Sequence, residues 1–238
     1  MGCSTLYHLG KLGVSDAILL ERNTLTSGTT WHSAAQVRAL RSSQNLTRMI
    51  QYSVELYSQL EQETGQNVGW IQKGSLSIAT TPDRLVHIKR QEALAHAYGL
   101  DATTISKSEA LERWPLMHGD DVLGAVWSPD DGRVSPSDVC AALTKGAKSS
   151  GNQIFENCGV TAVLTKNGRI TGVETTQGTV MCDAIAVCSG LWSREIGAMA
   201  GAEIPVLACE HFYLLTKPID GIWGNTPTLS DHDSHLYI

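Results

Sequence analysis

A short apolar strand that follows a glycine-stopped helix and ends in an acidic residue constrains the fold most strongly. The leucines of residues 3–12 share one helical face, and Gly13 ends that helix. Residues 17–20 have the composition of a short buried strand, and Glu21 follows directly. The order of helix, buried strand and strand-end carboxylate is typical of a βαβ unit. The sequence therefore predicts an α/β fold.

The glycine before the first helix makes this prediction more specific. A βαβ unit that binds a dinucleotide carries G-x-G-x-x-G between its first strand and helix, and its strand-end acid accepts hydrogen bonds from ribose. Only Gly2, in the third place, stands before the helix here, and residues 236–238 resemble the middle of a strand. We therefore expect a Rossmann-like lobe without its first strand, in an internal fragment of a longer enzyme that is inactive alone.

Composition and charge argue against several classes of partner. With 18 basic and 24 acidic residues, the net charge is −6, so nothing favours nucleic acid or an anionic membrane. No apolar run approaches the roughly 18 residues that cross a bilayer. The six cysteines lack C-x-x-C spacing, which fits free thiols in a reducing compartment. We expect a cytoplasmic protein, with the mitochondrial matrix as the alternative.

Local patterns predict most of the remaining elements. Helical periodicity, capping residues and proline in the first turn predict helices over about residues 46–63, 81–99, 106–115 and 135–151. Alternating or continuous apolar residues predict a half-buried strand at 74–79, a three-stranded meander over 160–182, and strands at 184–188 and 205–216.

Four short segments carry the candidate chemistry, namely Thr30-Trp31-His32, Ser189-Gly190-Leu191-Trp192, His211-Phe212-Tyr213 and Leu236-Tyr237. Small residues surround His32, so a bulky ring could approach its imidazole. The second segment follows a predicted strand at a strand-to-helix turn, where backbone amides suit phosphate or ribose. Together these segments resemble the dimethylglycine and sarcosine dehydrogenase group of FAD-dependent oxidoreductases, within the D-amino-acid-oxidase-like superfamily.

This resemblance, which extends over essentially the whole chain, implies a two-lobed flavoprotein of mixed α/β class. An FAD lobe would cover about residues 1–65 and 135–200, and a substrate lobe with a large mixed β-sheet about 66–134 and 201–238. In that group the histidine matching His32 is bonded covalently to the flavin 8α-methyl. The residues expected to bind the cofactor are Gly2, Glu21, Arg22, Thr29, Thr30, His32, Val160, Ser189, Gly190 and Trp192.

The reaction that the resemblance implies is oxidative N-demethylation of a small N-methyl amino acid such as dimethylglycine or sarcosine, with hydride passing to FAD. His211 and Tyr237 match the pair that lies over the flavin beside the substrate amine, where they would orient it and handle its proton. The electrons would pass to an electron-transfer flavoprotein or to oxygen. Complete members add a C-terminal folate-binding domain, which these residues do not include.

The same residues have structural alternatives. His32 could be an ordinary hydrogen-bonded loop histidine, and His211 and Tyr237 ordinary strand residues. For the whole chain, the alternative is a non-catalytic, FAD-associated regulatory subunit of the same fold. A metal site is disfavoured, because the clustered acids and histidines lack a ligand set at fixed spacing. The tryptophans, Trp223 among them, are core or interface candidates.

Overall fold

The computed structural model describes residues 1–221 and 224–238, so Trp223 lies outside the described residues. In chain order the helices are α1 (Gly2–Lys11), α2 (Gln44–Thr64), α3 (Pro82–Ala97), α4 (Lys107–Arg113), α5 (Pro136–Ser149) and α6 (Ser193–Met199). The strands are β1 (Ile18–Leu20), β2 (Gln36–Val37), β3 (Ser75–Ala79), β4 (Thr103–Ile105), β5 (Gly124–Ser128), β6 (Gly132–Arg133), β7 (Gln153–Phe155), β8 (Val160–Lys166), β9 (Arg169–Thr175), β10 (Gly178–Met181), β11 (Thr228–Asp231) and β12 (Leu236–Tyr237). Within the described ranges, no helix is long and apolar enough to span a membrane.

The elements form two compact units, each built from two stretches of chain. The first unit contains Met1–His32 and Cys140–Leu215, and the second contains Ser33–Val139 and Thr216–Ile238. Because compact units need not coincide with the lobes that hold a ligand, the lobe boundaries given by the sequence stay a prediction.

The first unit contains the predicted helix-strand start. α1 buries Leu6 and Tyr7, and β1 pairs in parallel with β7, a strand that sequence patterns did not reveal. β8, β9 and β10 form the predicted antiparallel meander. Its first turn places Asn167 and Gly168 at φ 54° and 73°, the left-handed conformation that a tight hairpin needs and that this dipeptide favours.

A five-stranded mixed sheet organises the second unit. The strand order is β12-β11-β3-β5-β4; β11 and β3 are parallel, and the other neighbours are antiparallel. This sheet confirms the expected mixed α/β class. The prediction that β3 is half-buried is wrong, because all five of its residues are buried. Leu76 and Ile78 pack with α4 on one face, while Ala79 packs with α3 on the other.

Helix ends follow the predicted local chemistry. The Thr81 hydroxyl accepts the Arg84 N–H and Pro82 opens α3, while Ser106 and Glu109 form a reciprocal capping box at α4. α2 ends at Gly65 in the left-handed conformation, φ 65°. These short-range signals predict where helices start and stop because their hydrogen bonds join residues within one turn.

Two predicted strands are wrong. Residues 184–188 and 205–216 have no regular secondary structure, although both are rich in apolar residues. An apolar run forms a strand only where a neighbouring strand satisfies its N–H and C=O groups. Among the strands in the described part of the chain, none pairs with either segment, and the second leaves Leu207, Leu214 and Leu215 more than 80% exposed.

Candidate functional site

The start of α1 approaches β1 closely. A Cβ atom on Gly2 would lie 3.3 Å from Leu19 Cδ1 and 3.5 Å from the Cβ of Cys188, and the Thr5 hydroxyl lies 3.8 Å from Cys188 Sγ. Glycine therefore allows the helix to pack on the strand, as expected for the third fingerprint position. The side chain of Met1 makes no capping hydrogen bond, so no capping side chain blocks the first amides from an anion.

Glu21 directly follows β1, and its backbone N–H and C=O are both hydrogen-bonded. Its N–H donates to the carbonyl of Phe155 at 2.9 Å, and its carbonyl accepts the Cys158 N–H at 2.8 Å. Its carboxylate accepts the Asn23 N–H at 2.9 Å and retains lone pairs for further donors. Val160, the first residue of β8, follows two residues after this contact.

Two predicted cofactor residues come together beside Glu21. The guanidinium of Arg22 lies over the indole of Trp192, 4.1 Å from the ring centre, a contact that contributes about 0.5–1 kcal/mol at an exposed site. A Cβ atom on Gly28 would lie 3.6 Å from the same indole, and one on Gly159 would lie 3.5 Å from Cβ of Arg22. Three segments therefore meet here, namely the turn after β1, the start of β8 and the 3₁₀ turn Gly190–Trp192.

The turn before Trp192 has the backbone freedom that a close ligand contact requires. Gly190 has φ 58°, and a Cβ atom there would meet nothing within 4 Å. The space that a side chain at this position would occupy is thus empty, and the left-handed backbone conformation favours glycine. The Ser189 hydroxyl donates to the Ser193 hydroxyl at 3.3 Å, which ties the turn to the first residue of α6.

His32 ends an exposed 3₁₀ turn that also contains Thr29 and Thr30. The ring of Trp31 stacks against the imidazole, with centres 3.8 Å apart and planes 33° apart. The Tyr213 hydroxyl lies 3.0 Å from His32 Nδ1, although 181 residues separate the two in sequence. The histidine is therefore held on one face and at one nitrogen.

Ala35, the first left-handed residue after His32, belongs to the second unit. Its φ is 63°, a conformation that favours glycine and costs other residues roughly 1–2 kcal/mol. Its N–H donates to the Ser33 hydroxyl at 3.1 Å, and its carbonyl accepts the Val134 N–H at 3.1 Å. These bonds hold the loop in a conformation that its own side chain disfavours.

The two predicted catalytic residues lie in different units. His211 is exposed in the first unit, with Nδ1 3.1 Å from the Phe212 carbonyl oxygen. Tyr237 belongs to β12 in the second unit, where it pairs with Ser230, and it is 45% exposed. Their joint role stays a prediction.

Sequence reasoning missed two features of the first unit. The hydrogen bond of Tyr213 to His32 joins residues 181 positions apart, so no local sequence pattern signals it. The thiols of Cys3 and Cys140 form a hydrogen-bonded pair between α1 and α5. The Cys3 donor lowers the pKa of Cys140 to about 7, while the hydrogen bond with Cys140 and burial raise the pKa of Cys3.

The first unit thus combines anion donors at a helix start, a strand-end carboxylate, a glycine turn and an exposed, oriented histidine. Amides suit a pyrophosphate and a carboxylate suits ribose hydroxyls, so this donor set fits a dinucleotide cofactor. Fold and site together define an α/β protein of the nucleotide-cofactor-binding class.

Comparison with known proteins gives the family. The chain matches the family model described as FAD dependent oxidoreductase over residues 1–238. It therefore belongs to the FAD dependent oxidoreductase family, and its cofactor is FAD. The same fold occurs in the crystal structure of L-proline dehydrogenase from P. horikoshii, with a TM-score of 0.87 and 25% identity over 99% of this chain and 63% of that one.

Curated relatives cover every residue of the chain. It is 41% identical to mouse mitochondrial sarcosine dehydrogenase, 42% identical to the mouse mitochondrial pyruvate dehydrogenase phosphatase regulatory subunit, and 34% identical to rat mitochondrial dimethylglycine dehydrogenase. In each comparison the whole chain is aligned, with 26%, 27% and 28% of the respective relative. The chain thus spans about a quarter of the length of these relatives.

Proposed function

We propose that this chain is the flavin-binding part of an enzyme that oxidises small N-methyl amino acids such as sarcosine or dimethylglycine. The observation that carries the proposal is the 41% identity to a sarcosine dehydrogenase along the entire chain. The similarity to dimethylglycine dehydrogenase supports the same substrate class. Bound FAD would accept a hydride from the N-methyl carbon, leaving an iminium that water hydrolyses to formaldehyde and the demethylated amine.

The described residues support specific contacts to the cofactor. The amides at Gly2 and the Ser189-Gly190 turn would face the pyrophosphate, and Glu21 would accept the ribose hydroxyls. Val160, at the start of β8, would contact the adenine. Thr29 and Thr30 would line the turn that presents His32, and Arg22 and Trp192 would shape the same wall through their cation–π contact.

His211 and Tyr237 would act on the substrate amine. Hydride loss requires a nitrogen lone pair, so the ammonium form of the substrate must first lose a proton. A histidine can accept that proton near neutral pH, and a phenol can orient the amine by hydrogen bonding. Electrons would leave the flavin to an electron-transfer flavoprotein or to oxygen.

The similarity to a phosphatase regulatory subunit supports a second candidate, a non-catalytic flavoprotein of the same fold. The residues that the two functions require differ. A regulatory surface needs neither an oriented flavin-linking histidine nor a His-x-Tyr segment beside the substrate. The 3.0 Å contact between His32 and Tyr213 therefore favours the enzyme.

Covalent flavin is the property that separates these candidates most simply. In the complete gene product we expect FAD to be bonded to His32, so that a denatured protein band stays fluorescent. His32→Ala should abolish the fluorescent band while leaving FAD that is released on denaturation, because the contacts at Glu21 and Gly190 do not involve the linkage. Wild-type protein whose FAD is all released on denaturation would support the regulatory candidate, and a band still fluorescent after the substitution would assign the bond to another residue.

Two further proposals concern the cellular location of the protein and the behaviour of residues 1–238 on their own. We place the protein in the mitochondrial matrix in preference to the cytoplasm, because the sarcosine and dimethylglycine relatives are named as mitochondrial. We also propose that residues 1–238 alone neither retain FAD nor turn over, and the exposed apolar side chains at 207–215 support this proposal.

A further inference from the structure

The imidazole of His32 has two chemically distinct nitrogens, and the structure engages one of them. Nδ1 lies 3.0 Å from the Tyr213 hydroxyl, with ring centres 5.7 Å apart and planes at 56°. Trp31 covers one imidazole face at 3.8 Å. All three side chains belong to the first unit. The Nε2 edge of the ring is thus the edge that Tyr213 does not contact.

Which nitrogen can attack an electrophile depends on the tautomer. A neutral imidazole carries one N–H, and only the other nitrogen has an available lone pair. When Nδ1–H donates to the Tyr213 oxygen, Nε2 holds the lone pair. The reverse arrangement, with the phenol donating to Nδ1, would protonate Nε2 and remove its nucleophilicity.

We propose that Tyr213 is a positioning residue for the flavin linkage, which keeps the Nδ1–H tautomer of His32 so that Nε2 bonds to the flavin 8α carbon. This inference rests on the proposed covalent attachment at His32. Tyr213 stands out from its neighbours, because Phe212 is 85% exposed and Leu214 is 81% exposed, against 56% for Tyr213. The tyrosine is thus the member of this segment that turns toward the histidine.

The linkage step conserves atoms and electrons. A bond forms between Nε2 and the 8α carbon, and one C–H bond of the 8α-methyl group breaks. The electron pair of that bond remains in the flavin ring, which also gains the methyl proton and the imidazole proton that leaves Nδ1 past Tyr213. The product is a linked, two-electron-reduced flavin, and dioxygen reoxidises it with formation of hydrogen peroxide.

Tyr213→Phe tests this role, because it keeps the ring and removes the oxygen. Apoprotein of the complete gene product is mixed with FAD and oxygen, and covalent flavin is followed by in-gel fluorescence across a pH series. Loss of one positioned acid–base group costs on the order of 10²–10⁴ in rate, so we expect covalent attachment to slow by at least about 10²-fold while non-covalent FAD binding persists. Phe212→Leu, a change at the neighbouring position, should attach FAD at the wild-type rate.

A second readout is independent of flavin. Nitrogen NMR of ¹⁵N-histidine-labelled apoprotein above the histidine titration range should show His32 with its proton on Nδ1, and Tyr213→Phe should shift the population toward Nε2–H. Wild-type attachment rates in Tyr213→Phe, or an unchanged tautomer, would overturn the role of Tyr213. Absence of covalent flavin from the wild-type protein would instead refute the proposed linkage, and the tautomer shift would still decide whether Tyr213 orients His32.

Discussion

Single residues carry the proposed chemistry, and Ala35 shows how their local conformation matters. It holds φ 63° three residues after His32, in the region where glycine is favoured. Ala35→Gly should relieve a strain of roughly 1–2 kcal/mol, offset by about 0.4–1 kcal/mol from the greater freedom of glycine in the unfolded chain. We expect a net gain of roughly 0.5–1 kcal/mol in unfolding free energy.

Urea unfolding measures this gain as a higher transition midpoint at unchanged slope. Ala34→Gly is the matched control, because Ala34 is not among the residues with positive φ in the described chain, and it should lower the midpoint. Equal destabilisation by both substitutions would show that Ala35 is not strained.

The predicted catalytic pair gives a kinetic test at the same scale. His211→Asn and Tyr237→Phe should each slow flavin reduction by N-methyl amino acids by on the order of 10²–10⁴, the usual effect of losing a positioned acid–base group. Stopped-flow spectroscopy of the two variants makes the measurement, with Phe212→Leu as control. Unchanged rates in both variants would remove them from the mechanism.

At the level of helices and strands, prediction succeeded where the signal is local. Thr81, Ser106 and Gly65 mark helix ends through hydrogen bonds or backbone angles within one turn. Prediction failed for residues 184–188 and 205–216, because a segment forms a strand only when a pairing partner elsewhere in the chain lies beside it. β7 was missed for the converse reason, since three residues become a strand only beside β1.

The thiol pair between α1 and α5 provides a pH test of one helix contact. The thiol of Cys3 donates to Cys140 and lowers the pKa of Cys140 to about 7, below the ordinary value of about 8.5 for a thiol. Thiolate fraction rises with pH, so alkylation of Cys140 should reach half its maximal rate near this lowered value. Cys3→Ala removes the donor and should shift the midpoint upward, whereas Cys3→Ser retains a donor and should shift it less.

Peptide mass spectrometry resolves Cys140 from the other five cysteines. An alkylation profile identical in wild type and Cys3→Ala would show that the two thiols do not interact.

For the whole molecule, contacts between segments distant in sequence were the hardest to predict. Arg22 and Trp192 come together beside Glu21, and their binding of the cofactor stays a prediction. The contact of His32 with Tyr213 spans 181 residues, and no periodicity encodes such a pair. Membership of the FAD dependent oxidoreductase family fits the expected cofactor.

Exposed apolar surface leads to a prediction about residues 1–238 expressed alone. Leu207, Phe212, Leu214 and Leu215 are each more than 80% exposed, and contiguous apolar surface promotes association. We expect a product that aggregates and contains little FAD. Size-exclusion chromatography with flavin absorbance measures both properties. A monodisperse product with stoichiometric FAD would contradict the expectation.

The most direct test of the proposed enzyme is anaerobic reduction of its flavin by substrate. The complete holoprotein is mixed without oxygen with sarcosine or dimethylglycine, and the visible absorbance of oxidised flavin is followed. We expect it to bleach with at least one of these amines and formaldehyde to appear, whereas trimethylglycine, whose quaternary nitrogen has no lone pair, should leave the flavin oxidised. Flavin that stays oxidised with both N-methyl amino acids, at saturating concentration and across the pH range, would contradict the proposed function.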